Sequence, residues 1–260
     1  MPFSQNNGLR YYSFELFPDN VIQAVFTRQG GVSPHPWDSL NVGGSIGDEL
    51  SHVRENRIRS FRAVGRVPES IYDVWQVHSA DVVYADAPRP LDSQYRKADI
   101  LLTDNPGVTL FMRFADCTPV LLYDPKKGVV GLVHSGWLGT VRGAARAAVE
   151  AMQERYASNP ADIQAAIGPA IGPDHYEIGP DVIAQVKEAF GDQAQALLPA
   201  HGERVHFDLW KANQLLLRKA GVEQIEIAGL CTACHTDDWF SHRAEKGKAG
   251  RFGALIALQS

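Results

Sequence analysis

The sequence has few cysteines, little net charge and no long apolar run, and each absence excludes a class of protein. Three cysteines in 260 residues cannot build a disulfide framework, and an odd number leaves at least one thiol unpaired. The 25 basic and 30 acidic residues give a formal charge of −5, which argues against a surface dedicated to nucleic acid. We therefore expect a cytoplasmic protein, because in a reducing compartment a cysteine more often serves catalysis or metal binding than a disulfide bridge.

A membrane-spanning segment is also missing from the sequence. The most apolar stretch, at 108–123, is interrupted by Arg113, Asp116 and Pro119, and it falls short of the roughly 20 apolar residues that cross a bilayer. The polar N-terminus has no apolar core of the kind that a signal peptide requires. We expect neither membrane association nor export.

No Gly/Ser-rich or Pro-rich linker divides the chain, and no internal repeat is visible. The composition, 45% hydrophobic and 21% charged, is that of an ordinary globular protein. A chain of this length buries enough apolar surface to fold without disulfide bonds. We therefore predict a single domain over residues 1–260.

Strand and helix signals are mixed along the chain. β-Branched, aromatic and other apolar runs predict strands at 21–27, 72–77, 100–103, 109–114, 119–123, 129–133, 225–228 and 254–258. Apolar periodicity and capping residues predict helices at 49–64, 140–156, 180–190 and 208–220, with Thr140 and Asp208 as N-caps. These elements predict an α/β (α+β) fold, in which a single layered domain has a mixed β-sheet and flanking helices.

Two histidines and one cysteine follow predicted strands closely. His78, Cys117 and His134 would stand at strand ends, where loops diverge and binding crevices open. Two imidazoles and one thiolate suit Zn²⁺ and leave a fourth position for water or substrate. The spacing matches no compact zinc motif, so a buried cysteine and two surface histidines explain the residues equally simply. A third interpretation makes Cys117 a nucleophile with His134 as its base.

The segment Cys231-Thr-Ala-Cys234-His235 matches the attachment pattern of c-type haem and also a redox C-x-x-C motif. Neither an export signal nor a thioredoxin-like framework accompanies it. The simpler interpretation is one structural and one incidental cysteine in a loop. We therefore expect Cys231 and Cys234 to be bystanders.

Glycines and arginines mark possible anion sites. The segment from Gly136 to Thr140 would turn a strand into a helix N-terminus, whose free N–H groups can hold phosphate. Arg243 and Arg251 flank a loop rich in lysine and glycine, and either could meet an anion. Simple chain reversal and solvated arginines explain the same residues equally well.

Several short motifs follow one another in an order that resembles the YfiH/YlmD family of laccase-domain proteins. They are Ser39-Leu-Asn-Val-Gly, Glu55-Asn-Arg57, Gln76-Val-His78, Ala115-Asp-Cys117-Thr-Pro-Val, Val133-His134-Ser-Gly-Trp137, Ile167-Gly-Pro, Tyr176-Glu-Ile-Gly, Phe240-Ser-His-Arg243 and Gly250-Arg251. The likeness runs from about Asn41 to the C-terminus. It implies a single α/β domain similar to YfiH and related to a group of cysteine-hydrolase-like deamidases.

The resemblance also implies a site and an activity. The family's metal ligands fall on His78, Cys117 and His134, which would be the catalytic centre and hold Zn²⁺, with Cu²⁺ as the alternative. The implied reaction is phosphorolysis of adenosine and inosine to the free base and ribose 1-phosphate, with adenosine deamination as a second reaction. The partners are then a purine nucleoside and phosphate, and we expect a monomer or a weak homodimer. The expected substrate-binding residues are Asn41, Arg57, Gly139, Thr140, Arg243 and Arg251.

The chain departs from the family pattern at two positions. Leu138 stands where the family has an arginine, and this removes a fork of donors suited to phosphate. His242 replaces the usual tyrosine before Arg243, and we interpret it as a replacement ring rather than an added metal ligand.

Three other functions stay open at the level of sequence. A copper polyphenol oxidase is one, since imidazole and thiolate also bind copper, but the chain has nine histidines and no H-x-H pair. A metal-free thiol hydrolase using Cys117 and His134 is another. A zinc-binding partner protein without enzymatic activity is the third.

Overall fold

The computed structural model describes residues 2–90 and 92–259. Within them the chain forms fourteen β-strands, of which the longest lie near the middle of the chain and at its C-terminal end. The strands are β1 (Phe3–Asn6), β2 (Leu9–Tyr12), β3 (Val21–Phe26), β4 (Ile71–Tyr72), β5 (Val82–Tyr84), β6 (Ile100–Thr103), β7 (Thr109–Phe114), β8 (Thr118–Asp124), β9 (Val129–Ser135), β10 (Gln164–Ile167), β11 (Ala200–His201), β12 (Arg204–Val205), β13 (Gln224–Ile227) and β14 (Phe252–Leu258).

Five α-helices accompany the strands in the described part of the chain. They are α1 (Leu50–Ala63), α2 (Trp137–Val141), α3 (Ala144–Tyr156), α4 (Pro180–Phe190) and α5 (Leu209–Lys219). Asp208 caps α5 as predicted, because its carboxylate accepts a hydrogen bond from the backbone N–H of Lys211. Short 3₁₀ helices at Pro68–Ser70, Pro160–Asp162 and Gly191–Leu197 complete the helical structure. None of the helices in residues 2–90 and 92–259 has the length and apolar character needed to cross a membrane.

The long strands form two six-stranded sheets. The first sheet has the order β1-β2-β3-β14-β7-β4, and the second has the order β13-β10-β8-β9-β6-β5. Both sheets are mixed, since β4 runs parallel to β7 in the first, and β10–β13 and β5–β6 are parallel pairs in the second. The strands β11 and β12 form a separate hairpin.

The alternation of side chains along the central strands explains how the sheets are layered. Leu101 of β6 packs in a cluster between the two sheets, whereas its neighbours Ile100 and Leu102 pack against α3 and α5. In β7, Leu110 and Met112 join the cluster between the sheets, while Phe111 contacts Phe61 of α1. The layers therefore follow the order α1, first sheet, second sheet, and helices α3 to α5.

The α/β class with mixed sheets and flanking helices is confirmed. The chain has two facing sheets where a single sheet was expected. Strands such as β8 and β9 are buried on both faces, because the first sheet covers one face and helices cover the other. Periodicity reports that a strand is buried but not what covers it.

Two element predictions were wrong in their bounds. The extended run predicted at 72–77 forms a strand only at its start, in β4, and Trp75 adds an isolated bridge to Lys97. The remaining residues form the loop that leads to His78. Thr140 does not begin the long helix, because it lies inside α2. Gly143, with φ of 77°, breaks the helical path and becomes the N-cap of α3.

Candidate metal centre and its cavity

His78, Cys117 and His134 meet where the two sheets approach each other. Cys117 lies in the short connection between β7 of the first sheet and β8 of the second, while His134 is part of β9. The Nε2 atom of His78 lies 3.9 Å from the Sγ atom of Cys117. The three potential ligand atoms all lie within 4.8 Å of one another. The expected ligand set is therefore assembled, although its members come from both sheets rather than from one continuous sheet.

The backbone beside the ligands adopts conformations that non-glycine residues rarely take. His78 has φ of 58° and Asp116, next to Cys117, has φ of 80°. Such left-handed residues persist where surrounding contacts enforce them, often at functional sites. The carboxylate of Asp116 is such a contact, because it accepts hydrogen bonds of 2.7 Å from the Thr232 hydroxyl and from the Arg243 backbone N–H. Asp116 thus joins the Cys117 loop to two later segments of the chain.

The space between the ligands depends on Gly136. A Cβ atom at this position would lie 2.6 Å from the Sγ atom of Cys117 and 3.2 Å from the ring of His78. Any side chain larger than hydrogen would therefore displace the thiol. The glycine of the His134-Ser-Gly-Trp137 motif is explained by this close approach.

Asp99 holds two of the three ligands in position, and sequence reasoning missed it. Its buried carboxylate lies 2.8 Å from Nδ1 of His134, which leaves Nε2 free to face the site. The other carboxylate oxygen accepts hydrogen bonds from the backbone N–H groups of Val77 and Ser79 at 3.0 and 2.7 Å, on both sides of His78. Burial alone would raise the pKa of Asp99, but these hydrogen bonds and His134 outweigh it and lower that pKa. In the sequence, the signal that could have pointed to Asp99 is its position directly before β6, the strand that pairs with the His134 strand β9.

The electrostatics of the metal-free cluster favour a thiolate. Burial works to raise the pKa of Cys117, but the charge and hydrogen bonding of His134 and His78 outweigh it and lower that pKa to about 6. Burial works to lower the pKa of His134, but Cys117 and Asp99 outweigh it and raise that pKa to about 9. Thiolate is the form of cysteine that binds metal ions. The donor set and its charge thus fit a divalent metal.

The distance between the potential ligand atoms also suits a zinc ion. Two ligands on one tetrahedral zinc ion, with bonds of about 2.3 Å to sulfur and about 2.0 Å to nitrogen, lie roughly 3.6 Å apart. The 3.9 Å between His78 and Cys117 is close to this value. Three protein ligands would leave one coordination position of the metal for water or substrate, and the three side chains line a cavity.

That cavity has a volume of about 1300 Å³, and the three ligands lie on its wall. Its lining is strongly cationic, with eight arginines against two acidic residues, Glu69 and Asp116. Three of the arginines converge on the buried carboxylate of Asp73: Arg89 at 2.8 Å, Arg57 at 3.3 Å and Arg113 at 3.9 Å. One carboxylate cannot neutralise three guanidinium groups, so this part of the wall carries an excess of positive charge. Burial and the charge of Arg57 lower the pKa of Arg113 to about 10, and it still keeps its proton at neutral pH.

Comparison with known proteins places the chain in a family. Residues 22–259 match the family model described as "Multi-copper polyphenol oxidoreductase laccase". A protein of Deinococcus radiodurans named "Purine nucleoside phosphorylase" is 39% identical over 238 residues, which cover 92% of this chain and 89% of the relative. "Purine nucleoside phosphorylase YfiH" of Escherichia coli is 36% identical, covering 93% of this chain and 95% of the relative. The crystal structure of YlmD from Geobacillus stearothermophilus superposes with a TM-score of 0.91 at 32% identity, covering 100% of this chain and 99% of the other.

The chain belongs to the YfiH/YlmD family of laccase-domain proteins. The resemblance inferred from the order of the motifs is thereby confirmed. Of the two departures from the family pattern, His242 lines the cavity of this YfiH/YlmD protein, and Leu138 follows the cavity residue Trp137. Leu138 is half-buried at the start of α2, and His242 lies on the cavity wall beside Arg243.

Three of the expected substrate-binding residues line the cavity of this YfiH/YlmD protein. Arg57 donates from Nε and Nη2 to the Val42 carbonyl, and its remaining nitrogen faces Asp73. Arg243 is exposed and lies over the ring of Tyr176 at 5.1 Å. Arg251 is half-buried and donates to carbonyls of its own loop. These arginines are placed where an anionic ligand would meet them.

The other three expected substrate-binding residues are buried behind the cavity wall. The side chain of Asn41 accepts from the backbone N–H groups of Gly43 and Arg251 and donates to the carboxylate of Asp48. It therefore holds the segment that carries Arg251. Thr140 donates to the Gly136 carbonyl and contacts Asn213. Gly139 lies in the same short helix, α2, and is also buried.

Tyr176 is a cavity residue that sequence reasoning named only as part of a motif. Burial and the negative charges of Cys117 and Asp116 raise the pKa of its phenol well above the usual value. The phenol therefore keeps its proton at neutral pH and can donate a hydrogen bond into the cavity.

Proposed function

We propose that this YfiH/YlmD protein is a metal-dependent purine nucleoside phosphorylase. It would cleave adenosine and inosine with phosphate to give the free base and ribose 1-phosphate. The observation that carries the proposal is the convergence of His78, Cys117 and His134 on the wall of a large arginine-rich cavity. The names of the relatives that share the fold and the sequence support the same activity.

The metal that we propose is zinc, held by His78, Cys117 and His134. When bound there, it would supply Lewis-acid polarisation to a substrate oxygen or nitrogen. The ligand set of two neutral imidazoles and one thiolate leaves a net positive charge at the centre. Asp99 keeps His134 in the tautomer that presents Nε2 to the metal.

Phosphate binding is assigned to the arginines of the cavity. Guanidinium groups bind phosphate in a bidentate manner, and their attraction to an anion is stronger where water is largely excluded. Arg57 and Arg113 are held by Asp73 in a fixed arrangement, and Arg251 lies close enough to Cys117 and Asp116 to interact with their charges.

The nucleoside would occupy the part of the cavity beside the metal centre. A volume of about 1300 Å³ exceeds the range of roughly 300–1,000 Å³ that is typical of small-molecule sites, so two substrates can bind together. Trp137, directly after Gly136, and Tyr176 present rings to this space. Flat aromatic side chains suit the face of a purine base, and the protonated phenol of Tyr176 can donate to a base nitrogen.

The direct test is incubation of the zinc-loaded protein with adenosine, with and without phosphate. We expect adenine and ribose 1-phosphate only when phosphate is present, and we expect slower formation of inosine as the proposed deaminase activity. If protein with one zinc ion at the site forms neither ribose 1-phosphate nor inosine, the proposal is wrong.

Copper is the alternative metal, because imidazole and thiolate bind it well and the family model has a multi-copper description. A multicopper centre needs about ten histidine ligands in paired H-x-H motifs. In the described residues the potential metal ligands form two clusters with three members each. Metal analysis of protein prepared without added copper decides between the two, since stoichiometric copper with phenol oxidation would favour the oxidase.

A further inference from the structure

A second cluster of soft ligands lies near the Asp116 loop, which Thr232 of this cluster's C-x-x-C turn contacts. It consists of His175, Cys231 and Cys234, whose potential ligand atoms all lie within 4.8 Å of one another. The cysteines are those of the C-x-x-C-H segment, which the sequence suggested to be bystanders. His175, which is 56 residues away from Cys231 in the sequence, lies next to both cysteines.

The sheet topology explains why these residues meet. The strands β10 and β13 are parallel neighbours, so the loops that follow them leave the same edge of the second sheet. Backbone hydrogen bonds continue the pairing beyond the strands: Ala170 receives from Thr232 at 3.1 Å and donates to Leu230 at 3.2 Å. The loop with His175 and the loop with both cysteines are therefore held side by side by the backbone itself.

The distances within the cluster are those of a metal site. The Nδ1 atom of His175 lies 3.5 Å from the Sγ of Cys234 and 3.8 Å from the Sγ of Cys231. Ligands of one tetrahedral zinc ion are separated by roughly 3.5–3.8 Å. Cys234 also hydrogen-bonds to Cys231, so each of the three side chains contacts the other two.

The surroundings of Cys231 also suit a metal-bound sulfur. This residue is buried, and its Sγ accepts a hydrogen bond of 3.2 Å from the backbone N–H of Gly172. A Cβ atom at Gly172 would lie 3.1 to 3.3 Å from Cys231, so a side chain there would crowd the sulfur. Backbone N–H groups that donate to a ligand sulfur stabilise its negative charge.

We propose that His175, Cys231 and Cys234 form a second metal site, which takes a soft divalent cation of the zinc class. Two thiolates balance the charge of such an ion, and the neutral imidazole completes a set that zinc prefers. His175 and Cys234 are exposed, so the fourth position is open to water from outside the protein.

The role of this second site is to fix one wall of the cavity. His175 directly precedes Tyr176, which lines the cavity, and Thr232 of the C-x-x-C turn donates to Asp116 beside Cys117. A metal that joins the two loops would hold Tyr176 and Asp116 in place. The site is therefore structural with respect to the proposed reaction, and it stands independently of that reaction.

Cobalt binding to a C117S variant tests the proposal without interference from the first site. The chain has three cysteines, so any thiolate-to-cobalt charge-transfer band in C117S comes from Cys231 and Cys234. We expect reduced, metal-free C117S to bind one equivalent of Co²⁺ with this band. Adding C234S or H175A should abolish most of the band, while adding H35A, at an exposed histidine elsewhere, should leave it unchanged.

Absence of the band from reduced C117S, or its persistence in both double variants, would overturn the proposal. Unmodified protein provides a second measurement that needs no substitution. Addition of Zn²⁺ should slow the alkylation of Cys234 at least about tenfold, as read by peptide mass spectrometry. No protection, or a Cys231–Cys234 disulfide that survives reductant and excludes the metal, would also overturn it.

Discussion

The two His/Cys clusters of this protein use the same kinds of ligand in opposite surroundings. The first, of His78, Cys117 and His134, has one thiol and two imidazoles and faces the arginine-rich cavity. The second, of His175, Cys231 and Cys234, has two thiols and one imidazole and faces solvent. A divalent metal would leave the first cluster positive and the second neutral. Charge and access, more than ligand type, separate a centre suited to catalysis from one suited to structure.

The two clusters also differ in how each thiol is held before any metal binds. Nearby histidine charge lowers the pKa of Cys117 to about 6, against the effect of burial. Burial and the neighbouring Cys231 raise the pKa of Cys234 to about 11. In the first cluster a buried carboxylate, that of Asp99, orients one of the imidazoles at a distance of 2.8 Å.

The largest expected effect is that of removing the thiol of the first cluster. C117S should lower the rate of adenosine phosphorolysis by more than about 100-fold, because the serine hydroxyl is a poor metal ligand at neutral pH. Steady-state kinetics with zinc-loaded protein measure this loss. C234S, from the second cluster, should lower the rate by less than about tenfold, because that site acts only through the cavity wall that it holds. Equal losses in both variants would contradict the division of roles.

Removing the orienting carboxylate sharpens the same comparison. D99N should weaken metal binding at the first cluster by about 10- to 100-fold, because the amide no longer stabilises His134 in the ligating tautomer. Competition with a chromophoric chelator measures the affinity of each site. The second cluster should keep its affinity, and an equal decrease at both clusters would mean that Asp99 acts on the fold rather than on His134.

The thiol pKa values predict that the less exposed cysteine, Cys117, reacts faster than the more exposed Cys234. In chelated, reduced protein at pH 7, iodoacetamide should modify Cys117 at least about tenfold faster than the more exposed Cys234, since the thiolate is the nucleophile. The rate at Cys117 should fall as the pH decreases through about 6, where its thiolate takes up a proton. Faster labelling of Cys234 would show that exposure decides instead.

The arginine wall is expected to serve phosphate rather than the nucleoside. R57Q should raise the KM for phosphate by about tenfold, which corresponds to the loss of one charge-assisted contact, and change the KM for adenosine much less. R146Q, at an exposed arginine on α3 away from the cavity, is the control. A larger effect on adenosine than on phosphate would assign Arg57 to the other substrate.

The smallest expected effect concerns stability. C234S should lower the midpoint temperature of zinc-loaded protein by a few degrees, since about 1 kcal/mol corresponds to roughly 2–4 °C for a chain of this size. Differential scanning calorimetry with and without zinc measures the shift. The zinc-dependent part of the stability should be reduced in C234S, and an unchanged zinc response would argue against a structural second site.

Much of the fold was predictable from local patterns. The strands β6 and β7 and the helix α4 have the predicted bounds, because apolar runs and the Pro180 and Gly191 boundaries are local signals. The strands β1, β2, β5, β10, β11 and β12 were missed, since each has only two to four residues and most of them include polar side chains. The division into two facing sheets was not predictable, because the alternation of Ile100, Leu101 and Leu102 shows burial on both faces without naming the layer on each side.

The sequence by itself determined the family through the order of its motifs, and it predicted His78, Cys117 and His134 as a ligand set. Only the tertiary structure decided which of the other residues join them. Asp99, Asp73 and the pairing of His175 with the C-x-x-C segment depend on contacts across 16 to 56 residues and between different strands or loops. Such contacts are set by strand order and by packing between layers, which leave no periodic signal in the chain. The three cysteines that excluded a disulfide framework are thereby divided between two candidate metal sites.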